Sequence, residues 1–317
     1  MANPNLIVLV GPTAAGKTAT AIEICRIVQG EIISADSMQV YKHLDIGTAK
    51  PTAEERAKVQ FHLIDFVEPD CQFTVSDWKA NAESAIADIR DRGKVPVICG
   101  GTGLYVKALL DDWTLASTPR NPVIRANLVA EATNSGPQAL HAKLLDVDPV
   151  TANRLHPNDS VRIVRALEVY YATGVAISEY QDRDRTAARP RDARRFGLTM
   201  DRPVLYERIE QRVDAMVAAG FELEVRDLLQ RGYSAGLGPM RSLGYKEMVE
   251  YIGGELTYSD MLSEVKQKTR QYAKRQLTWF KADKSIDWID ASALSSAEVA
   301  SEVVRQLESV GVKSTHD

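Results

Sequence analysis

The chain has 317 residues, 44% of them hydrophobic, and its 39 basic and 43 acidic side chains give a net charge of −4 at pH 7. This balance excludes a strongly basic nucleic-acid-binding protein, although it leaves room for a local basic surface. The cysteines Cys25, Cys71 and Cys99 stand far apart, which argues against a disulfide framework and against a cysteine zinc site. No apolar stretch approaches the ~18 residues that cross a bilayer, and none resembles a signal peptide. We therefore expect a cytoplasmic protein with no membrane partner.

The first hundred residues alternate between strand and helix patterns. The apolar run at 6–10 is typical of a parallel strand covered on both faces, and residues 31–35 and 95–99 also have strand patterns. Helical spacing follows the first run at 17–29, and a longer helix is predicted from an N-cap at Ser76, with Trp78, Ala82, Ile86 and Ile89 as its buried stripe. This alternation predicts an α/β fold with a parallel sheet flanked by helices.

The pattern changes after about residue 114. Residues 115–195 contain helical segments and almost no strand signal, and a strand pattern returns at 196–200. We therefore predict an all-helical insertion domain, 115–195, within a core built from residues 1–114 and 196–317. Within the core, a long amphipathic helix is expected over 258–282 and a last strand over 285–289. A final helix is expected to begin with a capping box formed by Ser295 and Glu298.

A phosphate-binding loop is predicted directly after the first strand. The segment fits G-x-x-x-x-G-K-[ST] and stands between an apolar strand and a helix, as the mechanism of such a loop requires. Its residues are Gly11, Pro12, Thr13, Ala14, Ala15, Gly16, Lys17 and Thr18. Backbone N–H groups would cradle a di- or triphosphate, Lys17 would add a positive charge, and Thr18 would ligate Mg²⁺. The pattern does not establish that the ligand is ATP.

A carboxylate follows the second strand, at the sheet edge where ligands bind in doubly wound folds. Asp36 in this position could act as a general base or ligate Mg²⁺ through water. It could equally serve as a helix cap or turn former. From the residues alone, these interpretations stay open.

Seven segments in order resemble the tRNA dimethylallyltransferase family of bacteria, also called tRNA isopentenyltransferases, whose fold is of the P-loop NTPase type. They are GPTAAGKT (11–18), ISADSMQVYKHLDIGTAKP (33–51), GGTGLYVKALL (100–110), HPND (156–159), RALEVY (165–170), GYKE (244–247) and QYAKRQLTW (271–279). The resemblance implies transfer of a dimethylallyl group from dimethylallyl diphosphate to N6 of the adenosine 3′ of the anticodon. The expected partners are the tRNA anticodon stem-loop and this donor, with Mg²⁺ as the cofactor, and we expect a monomer.

The same resemblance implies roles for individual residues. The phosphate loop would hold the donor diphosphate, and Asp36 would accept the N6 proton. Thr102 would lie at the mouth of the reaction channel, and Arg212 would bind the diphosphate. The segment Asp36, Ser37, Met38 and Gln39 would orient the base of the tRNA, together with Thr102.

Further residues are expected to contact tRNA. Residues 264–284 carry seven basic and two acidic side chains, with aromatic residues between them, a composition that suits phosphate binding. The expected contacts are Gly244, Tyr245, Lys246, Lys274, Arg275 and Gln276 in the core and Arg125, Arg162 and Arg165 in the insertion. Asn158 or Asp159 is expected to cap the helix that carries the last two arginines. Val161 departs from the family, which commonly has Gln or Arg at that position.

Two other enzyme classes share parts of this pattern. An adenylate isopentenyltransferase acting on free AMP, ADP or ATP would use the phosphate loop and Asp36, but it would not need the insertion or the basic C-terminal helix. A small-molecule kinase would use the phosphate loop with ATP. Both remain alternatives at this point.

Overall fold

The computed structural model describes residues 6–113, 120–187 and 191–311. The chain divides into two compact units, one formed by Met1–Leu109 with Asp192–Asp317 and the other by Leu110–Arg191. The larger unit contains the sheet, and the smaller one is helical in its described part.

The larger unit is built on a parallel sheet of six strands in the order β3-β2-β4-β1-β5-β6. The strands are β1 Ile7–Val10, β2 Gly30–Ser34, β3 Phe61–His62, β4 Val95–Gly100, β5 Arg194–Thr199 and β6 Asp287–Asp290. Every residue of β1 and β4 is buried, because helices cover both faces of the sheet and no water remains there to solvate polar side chains. The predicted α/β fold is confirmed.

The helices of the larger unit are α1 Lys17–Val28, α2 Ala53–Lys58, α3 Val75–Asp91, α4 Gly103–Leu110, α10 Arg202–Ala218, α11 Phe221–Gln230, α12 Tyr245–Ile252, α13 Tyr258–Lys281 and α14 Ser296–Gly311. Those of the smaller unit are α5 Pro122–Ser135, α6 Pro137–Val147, α7 Pro149–Ala152, α8 Ser160–Thr173 and α9 Ile177–Ala187. The last residue of α4 is the first of the smaller unit. In the part of the chain that the structure describes, no helix is both long and apolar enough to span a membrane.

The predicted elements agree with the structure except near their ends. The predicted buried stripe of α3 is confirmed, but its N-cap is Thr74, whose side chain accepts from the Asp77 N–H, and not Ser76. The capping box of Ser295 and Glu298 is confirmed at the start of α14. The short α2 and β3 carry too few residues to show a period in the sequence, and neither was predicted.

The helical unit has its own core. Leu140, Leu144, Ile163 and Leu167 are fully buried within a cluster contributed by α5, α6, α7 and α8. The sequence placed this insertion at 115–195, whereas the compact unit spans Leu110–Arg191. The later boundary differs because β5 begins at Arg194, whose N–H donates to the Leu6 carbonyl at 2.9 Å.

Candidate active site

Three neighbouring strands of the sheet end at one cavity. The phosphate loop follows β1, residues 36–39 follow β2, and residues 101–102 follow β4, which lies between the other two strands. Backbone bonds tie these ends together, since the Ala35 N–H donates to the Cys99 carbonyl at 2.8 Å and the Thr102 N–H donates to the Ala35 carbonyl at 3.0 Å. The topology thus brings together side chains that are distant in sequence, as expected at the carboxyl edge of a parallel sheet.

The cavity has a volume of about 400 Å³ and lies wholly in the larger unit. Lys17, Asp36, Arg212 and Arg275 supply its charged lining. Its apolar lining comes from α10, α11 and α13, through Met216, Val217, Phe221, Met261 and Val265. A cavity with this mixture of charged and apolar walls suits a ligand that has an anionic group and a hydrocarbon group.

The phosphate loop leaves backbone donors open for an anion. Helix α1 begins at Lys17 with no side-chain cap and no acidic residue in its first turn, so its first N–H groups face the cavity end without a carboxylate to neutralise them. Thr13, Lys17 and Thr18 line the cavity, whereas the remaining loop residues do not. The Lys17 ammonium donates to the Pro12 carbonyl at 2.7 Å.

Burial changes the proton affinity of two of the cavity cations. It lowers the pKa of Lys17 to about 8, and Arg212 acts in the same direction, while Cys99 and Asp36 oppose the shift. Burial also lowers the pKa of the Arg212 guanidinium, against the pull of Asp36. Neither cation forms an ion pair within 4 Å in the described part of the chain, so the positive charge of both is available to an anionic ligand.

Asp36 is both a turn former and a cavity residue. Its Oδ1 accepts from the Met38 N–H at 2.9 Å and from the Gln39 N–H at 3.3 Å. Among the described residues its Oδ2 has no hydrogen-bond partner, and the side chain lines the cavity. The two interpretations of Asp36 are therefore compatible, because one oxygen fixes the turn and leaves the other available for chemistry.

Thr102 lies beside this carboxylate without lining the cavity. Its hydroxyl accepts from the Ser37 N–H at 3.0 Å and donates to the Ser37 hydroxyl at 3.4 Å. The contact joins the turn after β4 to the turn after β2. The structure thus places Thr102 as a support for residues 36–39, which line the cavity themselves.

Gln276 has a different environment from the one expected of an RNA contact. The residue is only 6% exposed. Its Oε1 accepts from the Thr13 N–H at 2.8 Å and its Nε2 donates to the Gly101 carbonyl at 3.0 Å. Gln276 therefore links α13 to the phosphate loop and to the turn after β4. Its amide is engaged by the protein backbone, which corrects its assignment to the RNA surface.

The segment 244–246 also departs from the expectation. Tyr245 is completely buried, packs edge-to-face on Phe221 and donates to Glu224 Oε1 at 2.6 Å. The same carboxylate accepts from the N–H groups of residues 45–47. Tyr245 is therefore part of the support for the loop that carries the cavity residues 47–49, and only the exposed Lys246 keeps a surface position.

Helix α13 carries two kinds of basic residue. Near its middle, Lys266 pairs with Asp214, Lys268 with Glu247 and Glu264, and Arg270 with Glu210, at 2.5–2.9 Å. In contrast, no acidic partner lies within 4 Å of Lys274, Arg275 or Lys281 in the described residues. The basic residues of 264–284 that have no acidic partner therefore lie at the C-terminal end of α13, whereas those in the middle of the helix are neutralised by ion pairs.

The insertion arginines differ from one another. Arg125 and Arg165 both bind Glu168, which is fully buried, at 2.6 and 2.9 Å. Arg162 has a 69% exposed side chain with an ion pair to Asp159 at 3.2 Å. Asp159 is the cap of α8, as predicted. Of the three arginines, only Arg162 presents most of its side chain to solvent.

A magnesium ion fits this cavity only if a bound phosphate supplies some of its ligands. The described residues contain no group of three or more His, Cys, Asp or Glu that could hold a metal. Thr18, whose hydroxyl has no hydrogen-bond partner in that part of the chain, lines the same cavity as Asp36. Hard oxygen donors in small number are typical of Mg²⁺ sites completed by phosphate and water.

Several residues of the site escaped the sequence reasoning. Met261, Val265, Thr269 and Tyr272 of α13 line the cavity beside Arg275 and Gln276, which were expected to contact RNA. The first four are spaced by three or four residues, which places them on one helix face. That spacing was visible in the sequence, but it reads equally well as an ordinary core stripe. Glu224 gave no signal, because its partners are backbone groups of a loop almost 180 residues away.

Comparison with known proteins agrees with this geometry. The profile of the family described as IPP transferase matches residues 39–283, and one described as isopentenyl transferase matches residues 4–68. A tRNA dimethylallyltransferase of Geobacter metallireducens is 48% identical over 285 residues, covering 90% of this chain and 92% of that protein.

Solved structures give the same result. The full-length tRNA isopentenylpyrophosphate transferase of Bacillus halodurans superposes with a TM-score of 0.72 at 39% identity, over 98% of this chain and 99% of that one. A eukaryotic dimethylallyltransferase acting on tRNA gives a TM-score of 0.79 at 28% identity, over 94% of this chain and 77% of that one. The extent and identity of these matches show that the chain belongs to the IPP transferase family, the family of the bacterial tRNA dimethylallyltransferases.

Proposed function

We propose that the protein transfers a dimethylallyl group from dimethylallyl diphosphate to N6 of the adenosine 3′ of the anticodon in tRNA, releasing diphosphate. The observation that carries this proposal is the single cavity where an uncapped helix N-terminus, a carboxylate with a free oxygen and an apolar wall meet. A kinase site would share the first two features, whereas the apolar wall suits the hydrocarbon group of a prenyl donor.

The donor would bind with its diphosphate against the phosphate loop. The N–H groups at the start of α1, the Lys17 ammonium and the Arg212 guanidinium would hold its oxygens. Its hydrocarbon part would pack on the apolar residues of α10, α11 and α13, where water is excluded. This orientation would bring the allylic carbon towards Asp36, which lines the same cavity as the phosphate loop.

The reaction requires charge to be stabilised on the leaving group. As the carbon–oxygen bond to the diphosphate breaks, negative charge develops on the oxygens held by Lys17 and Arg212, and fixed cations stabilise it without reorganisation. Mg²⁺, held through the Thr18 hydroxyl when the donor is bound, would add further positive charge there. The Gln276 bridge keeps the loop in the shape that this binding requires.

Asp36 would serve as the general base. Its Oδ1 is held by two backbone N–H groups, and its free Oδ2 would accept the N6 proton while the bond from N6 to the allylic carbon forms. The proton thus moves to Asp36 and the electron pair of the broken bond leaves with the diphosphate. Ser37, Met38 and Gln39, which follow in the same turn, would orient the adenine.

The adenosine must leave its stack in the anticodon loop to reach Asp36, which is least costly in an unpaired loop. Lys274 and Arg275 of α13 would bind the flanking phosphates, since they have no acidic partner among the described residues. In the helical unit, we assign an RNA contact to Arg162. Arg125 and Arg165 are held by Glu168 instead.

The experiment that tests this function is mass spectrometry of nucleosides after reaction. The protein is incubated with Mg²⁺, dimethylallyl diphosphate and unmodified tRNA in the absence of ATP, with AMP, ADP and ATP as parallel acceptors. Dimethylallyladenosine from tRNA alone is the expected result. Product from free nucleotides only would assign the protein to the adenylate enzymes, and no product from any acceptor by folded protein would overturn the proposal.

A further inference from the structure

The C-terminal end of α13 exposes a tryptophan directly beyond the cavity. Trp279 is 43% exposed. It lies one helical turn after Arg275 and Gln276, which both line the cavity, and a turn advances a helix by about 5.4 Å. Trp279 therefore lies about one helical turn beyond the part of α13 that lines the cavity.

The indole ring packs against the first residue of α4, directly after the turn that follows β4. Any Cβ on Gly103 would come within 2.2 Å of Trp279 Cδ1 and 2.3 Å of Trp279 Nε1, so the ring lies directly on the backbone of residue 103. Gln276, three residues earlier, bonds the carbonyl of Gly101 in the same turn. A ring that rests on backbone along one edge keeps a fixed orientation while part of its surface stays open to solvent.

The charges around this ring suit a polyanion. Lys274 and Arg275 precede Trp279, and Lys281 follows it. All three are exposed, and within the described part of the chain none has an acidic residue within 4 Å. The basic residues earlier in α13 are instead paired with acidic residues of α10, α12 and α13. Arg275, four residues before Trp279, shares its helix face. An exposed aromatic ring beside a basic residue that has no acidic partner is the arrangement that binds single-stranded nucleic acid, through base stacking and phosphate contacts.

We propose that Trp279 is a stacking platform for an unpaired base of the anticodon loop, adjacent to the adenosine that enters the cavity. Lys274 and Arg275 hold the phosphates on either side of that base. The inference rests on the proposed function and adds to it a residue that orients the RNA through a base other than the one modified. Stacking is tolerant of base identity, so Trp279 contributes affinity and register rather than sequence preference.

The test compares four variants of the full chain in binding an anticodon stem-loop RNA. Trp279→Leu keeps apolar cover over Gly103 but removes the stacking ring, and Trp279→Phe keeps a smaller ring. Tyr258→Ala is the matched control, since Tyr258 is 47% exposed at the opposite end of the same helix. Lys274→Ala with Arg275→Ala forms the electrostatic arm. Binding of dimethylallyl diphosphate reports whether the cavity is intact in the Trp279 and Tyr258 variants. It is not used for the charge variant, because Arg275 itself lines the cavity.

We expect Trp279→Leu to weaken RNA binding about tenfold, within the range for the loss of one base–aromatic stack. Because stacking releases no counterions, the dependence of affinity on salt stays that of the wild type in this variant, whereas it becomes shallower in the double charge variant. Trp279→Phe should lose less than Trp279→Leu, and Tyr258→Ala should bind like the wild type. Unchanged RNA affinity in Trp279→Leu would overturn the platform.

A second measurement keeps the outcome clear if the Leu variant folds poorly. 2-Aminopurine is placed in the RNA immediately 5′ or 3′ of the target adenosine, and its fluorescence is followed on binding to the wild-type protein and to Trp279→Phe. We expect quenching at one of the two positions by the wild type and less quenching by the Phe variant. Equal quenching by both proteins would refute the stack. Failure of the wild type to bind the RNA at all would instead refute the proposed function.

Discussion

The charged side chains of the cavity in the larger unit have no partners of opposite charge within 4 Å among the described residues, whereas the buried carboxylate of the helical unit has two. In the cavity, Lys17, Asp36 and Arg212 form no ion pair with one another within 4 Å among the described residues. In the helical unit, Glu168 is fully buried and accepts from Arg125, Arg165 and the Asn121 N–H. Burial alone would raise the pKa of Glu168, but its hydrogen bonds outweigh burial and lower it.

The difference separates groups that bind ligands from groups that hold the fold. A buried charge without a partner is unfavourable, and the pKa of Lys17, lowered to about 8, is a direct expression of that. We expect a protein to keep such a buried charge where a bound ligand of opposite charge neutralises it. A saturated cluster such as that of Glu168 has little left to offer a ligand. Changes at the cavity should therefore alter chemistry, and changes at Glu168 should alter stability.

The largest effect is expected from Asp36→Asn. The amide keeps the size of the side chain and an oxygen that accepts from the Met38 N–H, but it does not accept the N6 proton. We expect turnover to fall by 10²–10⁴-fold, the usual contribution of a general base, while tRNA and donor affinities change little. Single-turnover kinetics on unmodified tRNA measure this, with binding of both substrates as controls. Turnover near that of the wild type would show that Asp36 is not the base.

The opposite pattern is expected from Glu168→Ala. Removing the carboxylate leaves Arg125 and Arg165 without their common partner and the Asn121 N–H without its acceptor. Loss of one member of a buried ion pair costs on the order of 3 kcal/mol, a change of more than a hundredfold in a folding equilibrium constant. Urea unfolding of the protein measures this change. Donor binding to the folded protein should not change, and a loss of donor affinity would contradict the separation of roles.

These two sites also show what sequence can and cannot predict. The phosphate loop could be predicted because a strand pattern, a turn motif and a helix pattern are local in sequence. Asp36 could be predicted because the carboxyl ends of parallel strands lie at one edge of the sheet. Arg125 and Arg165 looked like surface arginines, since nothing local shows that Glu168 is buried between them. Gln276 and Tyr245 were assigned to RNA for a similar reason. Their partners in the phosphate loop, α11 and the turn after β4 are remote in sequence, and only tertiary packing shows that their polar atoms are already satisfied.

Substitutions at Gln276 test whether this residue supports the phosphate loop or belongs to the RNA surface. Gln276→Leu removes both hydrogen bonds and leaves the Thr13 N–H and the Gly101 carbonyl unpaired, at about 1 kcal/mol for each bond. We expect donor affinity to fall about tenfold because the phosphate loop loses its support. Calorimetric titration with dimethylallyl diphosphate measures this fall.

Gln276→Glu distinguishes support of the loop from simple packing. This variant keeps the acceptor for the Thr13 N–H but places a carboxylate near the diphosphate and against the Gly101 carbonyl, so its donor affinity should fall at least as far as that of Gln276→Leu. The salt dependence of tRNA binding should stay that of the wild type in both variants. A shallower salt dependence in Gln276→Leu would mean that Gln276 belongs to the RNA surface after all.

The smallest effect at neutral pH, and the most specific, is expected from the ionisation of Lys17. In the free protein its pKa is lowered to about 8 by burial, and a bound diphosphate raises it, because the anion stabilises the ammonium. Below pH 8 the ammonium is already present, and affinity for the donor is independent of this group. Above pH 8 the free protein loses the proton that the complex keeps. Affinity then falls towards tenfold per pH unit, and binding takes up a proton.

Donor affinity measured from pH 7 to 10 should therefore show a downward bend near pH 8 in the wild type. Lys17→Met is the matched control, since the ionisation of the ligand itself and of every other group remains. It should bind the donor weakly at all pH values and without the bend. A bend that persists in Lys17→Met would belong to another group. It would contradict the assignment of the Lys17 ammonium as a group that binds the charge of the donor diphosphate.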